Sequence, residues 1–129
     1  MPYKSINWIT RNFIKANPDS IFVFGDNYSK QGYGGQAKEC RGEPNSFGIA
    51  TKYTPEWKEQ AFFKDSFEEI TDLVLSLMRV ENLSIDGKLI YLPSAGIGTE
   101  RAELKTRAPI CFSIIKKFWE EKLGTADFS

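Results

Sequence analysis

The chain has 129 residues, a length typical of one domain, with 41% hydrophobic and 26% charged residues. Lys plus Arg and Asp plus Glu both total 17, so the formal net charge is zero and gives no strong case for nucleic acid or an anionic membrane. The absence of histidine excludes Ser-His-Asp and Cys-His catalysis and removes the commonest zinc ligand. No metal site and no cofactor are predicted.

The cysteines and the N-terminal segment bear on where the protein works. Cys40 and Cys111 lie far apart without the spacing of a metal site, which favours two reduced thiols. The N-terminus has no apolar segment typical of a signal peptide. No apolar run approaches the ~18 residues of a membrane-spanning helix. We therefore expect a cytoplasmic protein without a membrane partner.

The first half of the chain alternates short strands with short helices. A strand is predicted at residues 6–9, and Thr10 is the expected N-cap of a helix over 11–16. Residues 21–24 are four apolar residues in succession, typical of a strand that is covered on both faces. The elements predicted to follow are a glycine loop, a helix at 35–41 and a strand at 46–51.

The second half contains the two longest predicted helices, at residues 65–82 and 108–122, separated by an apolar strand at 89–92. Residues 52–64 show no clear periodicity, which favours a lid or a binding loop. A loop is predicted at 93–106 and a frayed tail at 124–129. Helical spacing predicts core faces formed by Phe67, Ile70, Val74, Leu77 and Met78, and by Cys111, Ile114, Ile115, Phe118 and Trp119.

This alternation predicts a single α/β domain over residues 1–129, with a mostly parallel sheet between helices. In such sheets ligands bind outside the carboxyl ends of the strands. The two most apolar strands, 21–24 and 89–92, are expected side by side at the centre, and each is followed by a glycine-bearing loop.

The first loop reads G-D-N-Y-S-K-Q-G-Y-G-G-Q-A and contains Gly32, Gly34 and Gly35. Glycines allow positive φ and close approach of a ligand to the backbone, and a helix N-terminus behind them favours an anion such as phosphate. The pattern matches neither the Walker loop nor the dinucleotide fingerprint. A tight turn that packs a helix on a sheet explains it equally well.

The second loop, L-P-S-A-G-I-G-T-E, follows the second apolar strand. Gly96 and Gly98 offer backbone amides, Ser94 and Thr99 offer hydroxyls, and Glu100 supplies a carboxylate. Two such loops, each behind an apolar strand, fit a diphosphate held between main-chain amides.

At these residues the sequence resembles the macrodomain family, especially its small members that remove ADP-ribose from acidic side chains. It is also similar to small phage and bacterial proteins that share the G-D-N and G-G-Q-A elements. The resemblance covers about residues 21–119 and implies a macrodomain-like, three-layer αβα fold. Phe24 stands where the family has its first loop asparagine, and Glu100 where the subgroup has aspartate.

The resemblance implies that ADP-ribose, or a related nucleotide diphosphate, binds between the two loops. It places a catalytic lysine at Lys52, in I-A-T-K, with Glu100 as its acidic partner. A Lys52 amine or a Glu100-activated water would attack the ribose. The residues predicted to contact the ligand are Asp26, Asn27, Gly32, Gly34, Gly35, Gln36, Ser94, Gly96, Ile97, Gly98 and Thr99.

Several alternatives stay open at this point. Lysines at positions like Lys52 are more often solvated strand ends, and Glu100, Arg101 and Glu103 form a charge run of the kind usually found in a solvated loop. Asp26 and Asn27 are alternatively caps or turn formers. Arg41 and Arg107 are candidates either for phosphate binding or for pairing with nearby acids. The protein could bind a nucleotide without chemistry, or it could be an interaction protein that retains the fold. Trp57, Phe62 and Phe63 are the expected partner surface in that last case.

Overall fold

The computed structural model describes residues 2–32, 34–99, 101–126 and 128. Among these residues, strands and helices alternate along the chain. The elements are β1 (Tyr3–Ile6), α1 (Arg11–Ala16), β2 (Ser20–Asn27), α2 (Ala37–Cys40), β3 (Ser46–Lys52), a 3-10 helix (Glu59–Ala61), α3 (Phe67–Ile85), β4 (Leu89–Pro93), α4 (Leu104–Arg107) and α5 (Pro109–Leu123).

The sheet has four strands in the order β1-β4-β2-β3, and each pairing within it is parallel. The α/β class and the central pairing of the two apolar segments are therefore confirmed, with Ile21 opposite Ile90 in the register. The prediction of a strand at 6–9 is wrong. The first strand lies earlier, because residues 3–6 pair with β4 and end opposite Pro93.

Side chains of β2 alternate between two buried clusters, as successive side chains of a strand point to opposite sides. Phe22 and Phe24 belong to a cluster with residues of α1 and α2. Val23 belongs to a larger cluster, which includes Leu73 of α3 and Ile115 of α5. Both faces of β2 are therefore apolar, as the run at 21–24 predicts.

The α3 helix begins as expected but buries only part of the predicted face. Ser66 caps it in a reciprocal capping box with Glu69. Glu69 is itself buried, because its carboxylate accepts hydrogen bonds from Lys64 N at 2.7 Å, Ser66 N at 3.0 Å and the Tyr53 hydroxyl at 2.5 Å. These bonds fix the rotation of the helix. The buried apolar side chains of α3 are Leu73, Leu77 and Val80. Of the predicted stripe, Leu77 is buried and Ile70 is partly buried against the core, whereas Phe67, Val74 and Met78 are exposed.

The α5 helix buries nearly the predicted face, and Cys111, Ile115, Phe118 and Trp119 are all in the core. Its N-terminus has no local side-chain cap. Asp65 supplies one from a distance, accepting the backbone N–H groups of Ile110 at 2.8 Å and Cys111 at 2.9 Å.

The chain beyond α5 differs from the predicted frayed tail. Phe128 is 7% exposed, and its ring meets those of Phe112 and Trp119 edge-on. Trp119 in turn donates its indole N–H to Pro93 O at 2.7 Å. An aromatic side chain near the end of the sequence therefore belongs to the core.

The segment at 52–64 is more ordered than predicted. It contains the 3-10 helix, and an isolated antiparallel bridge joins Lys52 to Phe62. Phe62 and Phe63 are both 1% exposed, so the expected partner surface is wrong for these two residues. Trp57 alone of the three is exposed. None of the described helices is long and apolar enough to cross a membrane.

Candidate functional site

A cavity of about 320 Å³ opens at the carboxyl edge of the sheet. Its walls come from the ends of β2 and β3, from both glycine loops and from residues 7–8. The loops approach each other at Gly25, where a Cβ would lie 3.3 Å from Ile97 and 3.7 Å from Gly98 N. A cavity therefore lies at the carboxyl ends of the parallel strands, where the sequence predicts a ligand site.

The first loop is held in shape by its own polar side chains. Asp26 accepts a hydrogen bond from Asn27 N at 2.8 Å and forms an ion pair with Arg41, which also donates to Gly32 O. The Asn27 side chain donates to Gln31 O at 3.0 Å and accepts from Ser29 Oγ at 2.5 Å. Asp26 and Asn27 line the pocket, and these bonds also make them turn formers.

Gln36 joins this loop to the segment between β1 and α1. Its amide accepts from Ile9 N at 2.6 Å and donates to Ile9 O at 2.9 Å. Helix α2 behind it spans only four residues, fewer than the predicted helix at 35–41. The attraction of a helix N-terminus for an anion is therefore weaker here than the sequence suggests.

Only some of the predicted residues of the second loop face the pocket. Ile97, Gly98 and Thr99 line the pocket, and Thr99 Oγ1 donates to Ala95 O at 3.1 Å. Ser94 is not part of the lining, because its hydroxyl is turned to Asn7 Oδ1 at 2.8 Å. Glu100 lies outside the described residues, so the predicted couple with Lys52 stays a prediction.

Lys52 is only 5% exposed, although it carries an ionisable amine. Its Nζ donates to Glu56 O at 2.7 Å and lies 4.4 Å from the ring centroid of Phe62 and 5.0 Å from that of Trp57. Burial, and next the positive charge of Arg101, lower the pKa of Lys52 below its ordinary value. A lowered pKa means that a larger fraction of this amine is in the neutral form than for a solvated lysine.

Arg101 is a pocket residue that the sequence reading treated as part of a solvated charge run. Its guanidinium lies against Gly34, and a Cβ at Gly34 would sit 2.4 Å from Cζ. Arg101 and Lys52 form no ion pair with any described residue. By contrast, Arg107 pairs with Glu59 at 2.9 Å and Glu103 at 2.8 Å, outside the pocket lining.

The described lining carries three basic side chains and one carboxylate. Asp26 is already paired with Arg41, whereas Lys52 and Arg101 form no ion pair with a residue that the structure describes. A protein without net charge thus concentrates positive charge at one cavity, which favours an anionic ligand. No group of three His, Cys, Asp or Glu residues suited to a metal ion occurs in the described part of the chain.

The site therefore brings together most of the predicted residues. Asp26, Asn27, Gly32, Gly34, Gly35, Gln36, Lys52, Gly96, Ile97, Gly98 and Thr99 line one cavity. Sequence reasoning missed Trp8 and Arg101. Trp8 stands at the rim and is 53% exposed. An aromatic residue and an arginine near two glycine loops were the available signals, but neither indicates by itself which way its side chain points.

The fold and the pocket define an α/β protein with a basic cavity at the carboxyl ends of its parallel strands. Residues 4–118 match the family described as "Family of unknown function (DUF7831)". Because the match covers most of the chain, the protein belongs to this family. Neither a search of curated proteins nor a search of solved structures gave a match.

Proposed function

We propose that the cavity binds a nucleotide diphosphate, with ADP-ribose as the first candidate. The observation that carries the proposal is the open glycine backbone at Gly35 in the same cavity as two basic side chains, Lys52 and Arg101, that form no ion pair with a described residue. Diphosphates are bound by main-chain amides and by arginine, which matches phosphate oxygens bidentately. The resemblance of both loops to macrodomain loops supports the same ligand class.

Trp8, an exposed residue at the rim of the cavity, would supply the surface that binds the adenine base. Its indole offers a flat apolar surface of the kind on which nucleobases stack. The phosphates would then lie deeper, beside Gly35 and Arg101, and the adenine at the rim. This arrangement needs none of the polar groups of Asp26, Asn27 or Gln36, which are already hydrogen-bonded within the protein.

Isothermal titration calorimetry with ADP-ribose, ADP, ribose 5-phosphate and adenosine tests this assignment. We expect ADP-ribose and ADP to bind, ribose 5-phosphate to bind more weakly, and adenosine to give no measurable heat. The affinity for ADP-ribose should fall as salt rises, because ionic contacts are screened. Equal binding of adenosine, or no binding of any phosphate compound, would contradict the proposal.

Hydrolysis of an ester-linked ADP-ribosyl group is the second candidate, favoured by the buried Lys52 with its lowered pKa. The neutral amine would form a C–N bond to the anomeric carbon while the C–O bond to the substrate carboxylate breaks. The carboxylate leaves with the electron pair, and the amine loses a proton to solvent. Water then replaces the amine and releases ADP-ribose. A protein that binds the ligand and releases none from an ester-linked peptide would be the non-catalytic module.

The lysine–ribose adduct can open its ribose ring: the bond from the anomeric carbon to the ring oxygen breaks, the nitrogen lone pair forms the C=N bond, and the proton on nitrogen moves to the ring oxygen. Cyanoborohydride reduces this imine to a stable amine, so the chemical step is tested by reducing a reaction mixture and measuring the mass of the protein. An adduct on the wild-type protein that is absent from Lys52→Met supports covalent attack. Lys58→Met is the matched control, because Lys58 lies in the same loop with an exposed side chain. Adduct formation that survives in Lys52→Met would assign the attack to another group.

We also propose a reducing, cytoplasmic location. The two cysteines are free and buried. Burial raises the pKa of Cys40 to about 12 and that of Cys111 to about 12, so both stay protonated thiols. Slow modification of the native protein by iodoacetamide, with rapid modification of both thiols in denaturant, is the expected result.

A further inference from the structure

The second glycine loop lies between the ligand cavity and the hydrophobic core. Gly96, Ile97, Gly98 and Thr99 line the cavity. The backbone N–H groups of Ile97, Gly98 and Thr99 donate to no acceptor among the described residues. Successive amides without a partner are suited to phosphate oxygens. The affinity of the cavity for a diphosphate therefore depends on where this short stretch of backbone lies.

Phe128, which follows α5 in the sequence, supports this stretch of backbone from the core side. A Cβ at Gly96 would lie 2.7 to 2.8 Å from three atoms of the Phe128 ring, so the ring fills the space that a side chain would take. Gly96 has a φ of 76°, a conformation that glycine adopts without steric cost. Phe128 is 7% exposed and is not part of the cavity lining. Its ring therefore supports the loop without contacting a ligand in the cavity.

The position of the Phe128 ring is fixed by other aromatic side chains. The ring meets those of Phe112 and Trp119 edge-on, with centroid separations of 6.1 and 5.9 Å. Trp119 is fully buried and donates its indole N–H to the oxygen of Pro93, the last residue before the second loop. Loss of the ring would leave an empty space beside Gly96, and the surrounding structure would relax into part of it.

We propose that Phe128 is a positioning residue for the ligand site, and that its docking and the binding of a diphosphate stabilise each other through the second loop. The ligand in this inference is that of the proposed function, whereas the contact between the ring and the loop does not depend on any ligand. Coupling of this kind is reciprocal. The factor by which docking of Phe128 raises the affinity is also the factor by which a bound ligand favours docking. A factor of about ten lies within the usual range.

Calorimetry with ADP-ribose on matched variants tests the coupling. Phe128→Ala should lower the affinity about tenfold, whereas Phe128→Leu, which keeps a large apolar side chain, should stay within about threefold of the wild type. Phe118→Ala is the matched control, because Phe118 is 8% exposed and also packs against Trp119, with ring centroids 5.9 Å apart. Both alanine variants should lower the urea midpoint by similar amounts, but Phe118→Ala should keep its affinity within about twofold. Equal losses of affinity in the two variants, or none in Phe128→Ala, would overturn the proposal.

Hydrogen exchange distinguishes a failure of this proposal from a failure of the proposed function. Without ligand, the amides of residues 94–99 should exchange faster in Phe128→Ala than in Phe118→Ala. This comparison stands even if no phosphate compound binds, a result that would contradict the proposed function. In the wild type, saturating ADP-ribose should slow the exchange of residues 124–129 about tenfold, and this measurement replaces the variants if Phe128→Ala does not fold. Unchanged exchange in either experiment would overturn the positioning role of Phe128.

Discussion

The two glycine loops at the carboxyl edge of the sheet differ in what their glycines face. In the first loop, a Cβ at Gly35 would meet no atom within 4 Å, and one at Gly34 would touch only the flexible end of Arg101. In the second loop, a Cβ at Gly96 would lie 2.7 Å from the Phe128 ring, and one at Gly98 would lie 2.3 Å from Leu104 Cδ1. Phe128 and Leu104 are both buried.

Two glycine clusters that look alike in sequence therefore have different physical causes. The second loop needs glycine because core side chains fill the space that a side chain would take. The first loop has no such packing requirement at Gly35, and the space beside it belongs to the cavity. Packing explains Gly96 and Gly98, whereas at Gly35 the positive φ of 59° is the local reason for glycine and the space beside it is open to the cavity. Substitutions in the two loops should accordingly separate stability from binding.

The largest effect is expected for Gly98→Ala, on stability. Gly98 has a φ of 71°, which costs an alanine about 1–2 kcal/mol, and the contact with Leu104 adds about 1–3 kcal/mol of overpacking. We expect the free energy of unfolding in urea to fall by roughly 3 kcal/mol. Gly124→Ala is the control for backbone strain alone, because its φ is 82° with no atom within 4 Å of the added Cβ. An equal loss in both variants would show that the Leu104 contact is unimportant.

In the first loop, Gly35→Val should act mainly on binding. The φ of 59° makes the variant strained, and the added side chain enters free space rather than the core. We expect about a hundredfold loss of ADP-ribose affinity by calorimetry, because blocking backbone approach removes charge-assisted hydrogen bonds. Gly124→Val carries similar strain away from the cavity and should bind normally. If Gly35→Val lost stability but kept its affinity, Gly35 would be a turn residue only.

How far the sequence predicts this molecule depends on whether local or long-range contacts decide each feature. The apolar runs at 21–24 and 89–92 are local signals, and both strands lie at the sheet centre as predicted. The face of α3 is not a local property. It carries apolar residues on two sides, and the buried bonds of Glu69 to Tyr53 and Lys64 decide which side turns inward.

The same reasoning applies to the cavity. The glycines and Lys52 could be assigned from short motifs, because a strand followed by a loop is visible along the chain. Arg101 reaches the cavity only because Gly34, far away in sequence, leaves room for its guanidinium. Phe128 enters the core because Gly96 leaves room in the same way. Contacts between distant residues of this kind cannot be read from spacing.

Removing the Arg101 side chain, which lies against the first loop, should have an intermediate effect on ADP-ribose affinity. Arg101→Ala is expected to lower ADP-ribose affinity about ten- to thirtyfold, the range for one charge-assisted contact. Stability should change little, because Arg101 is exposed and forms no ion pair with described residues. Arg79→Ala, an exposed arginine outside the cavity, is the control. Equal affinity in wild type and Arg101→Ala would place the phosphates elsewhere in the pocket.

The smallest predicted effect is a pH dependence that arises at Lys52, the last residue of β3. In the free protein, burial and Arg101 lower the pKa of this amine. A bound anion favours the charged amine and raises that pKa again. Between the free and bound values, the complex therefore holds more protons than the free protein. Affinity should then fall a few-fold as pH rises towards the ordinary lysine pKa of about 10.4.

Calorimetry in buffers of different ionisation enthalpy measures this proton uptake directly, because the diphosphate of ADP-ribose has no proton to exchange in that range. We expect uptake of a fraction of one proton per ligand in the wild type and none in Lys52→Met. Lys58→Met should behave as the wild type, since Lys58 is exposed and its amine contacts Glu56 at 3.1 Å. Unchanged uptake in Lys52→Met would mean that the ligand's charge lies too far from Lys52 to act on it. The diphosphate would then be assigned to Arg101 and the backbone of the first loop alone, and the covalent role of Lys52 would lose its geometric basis.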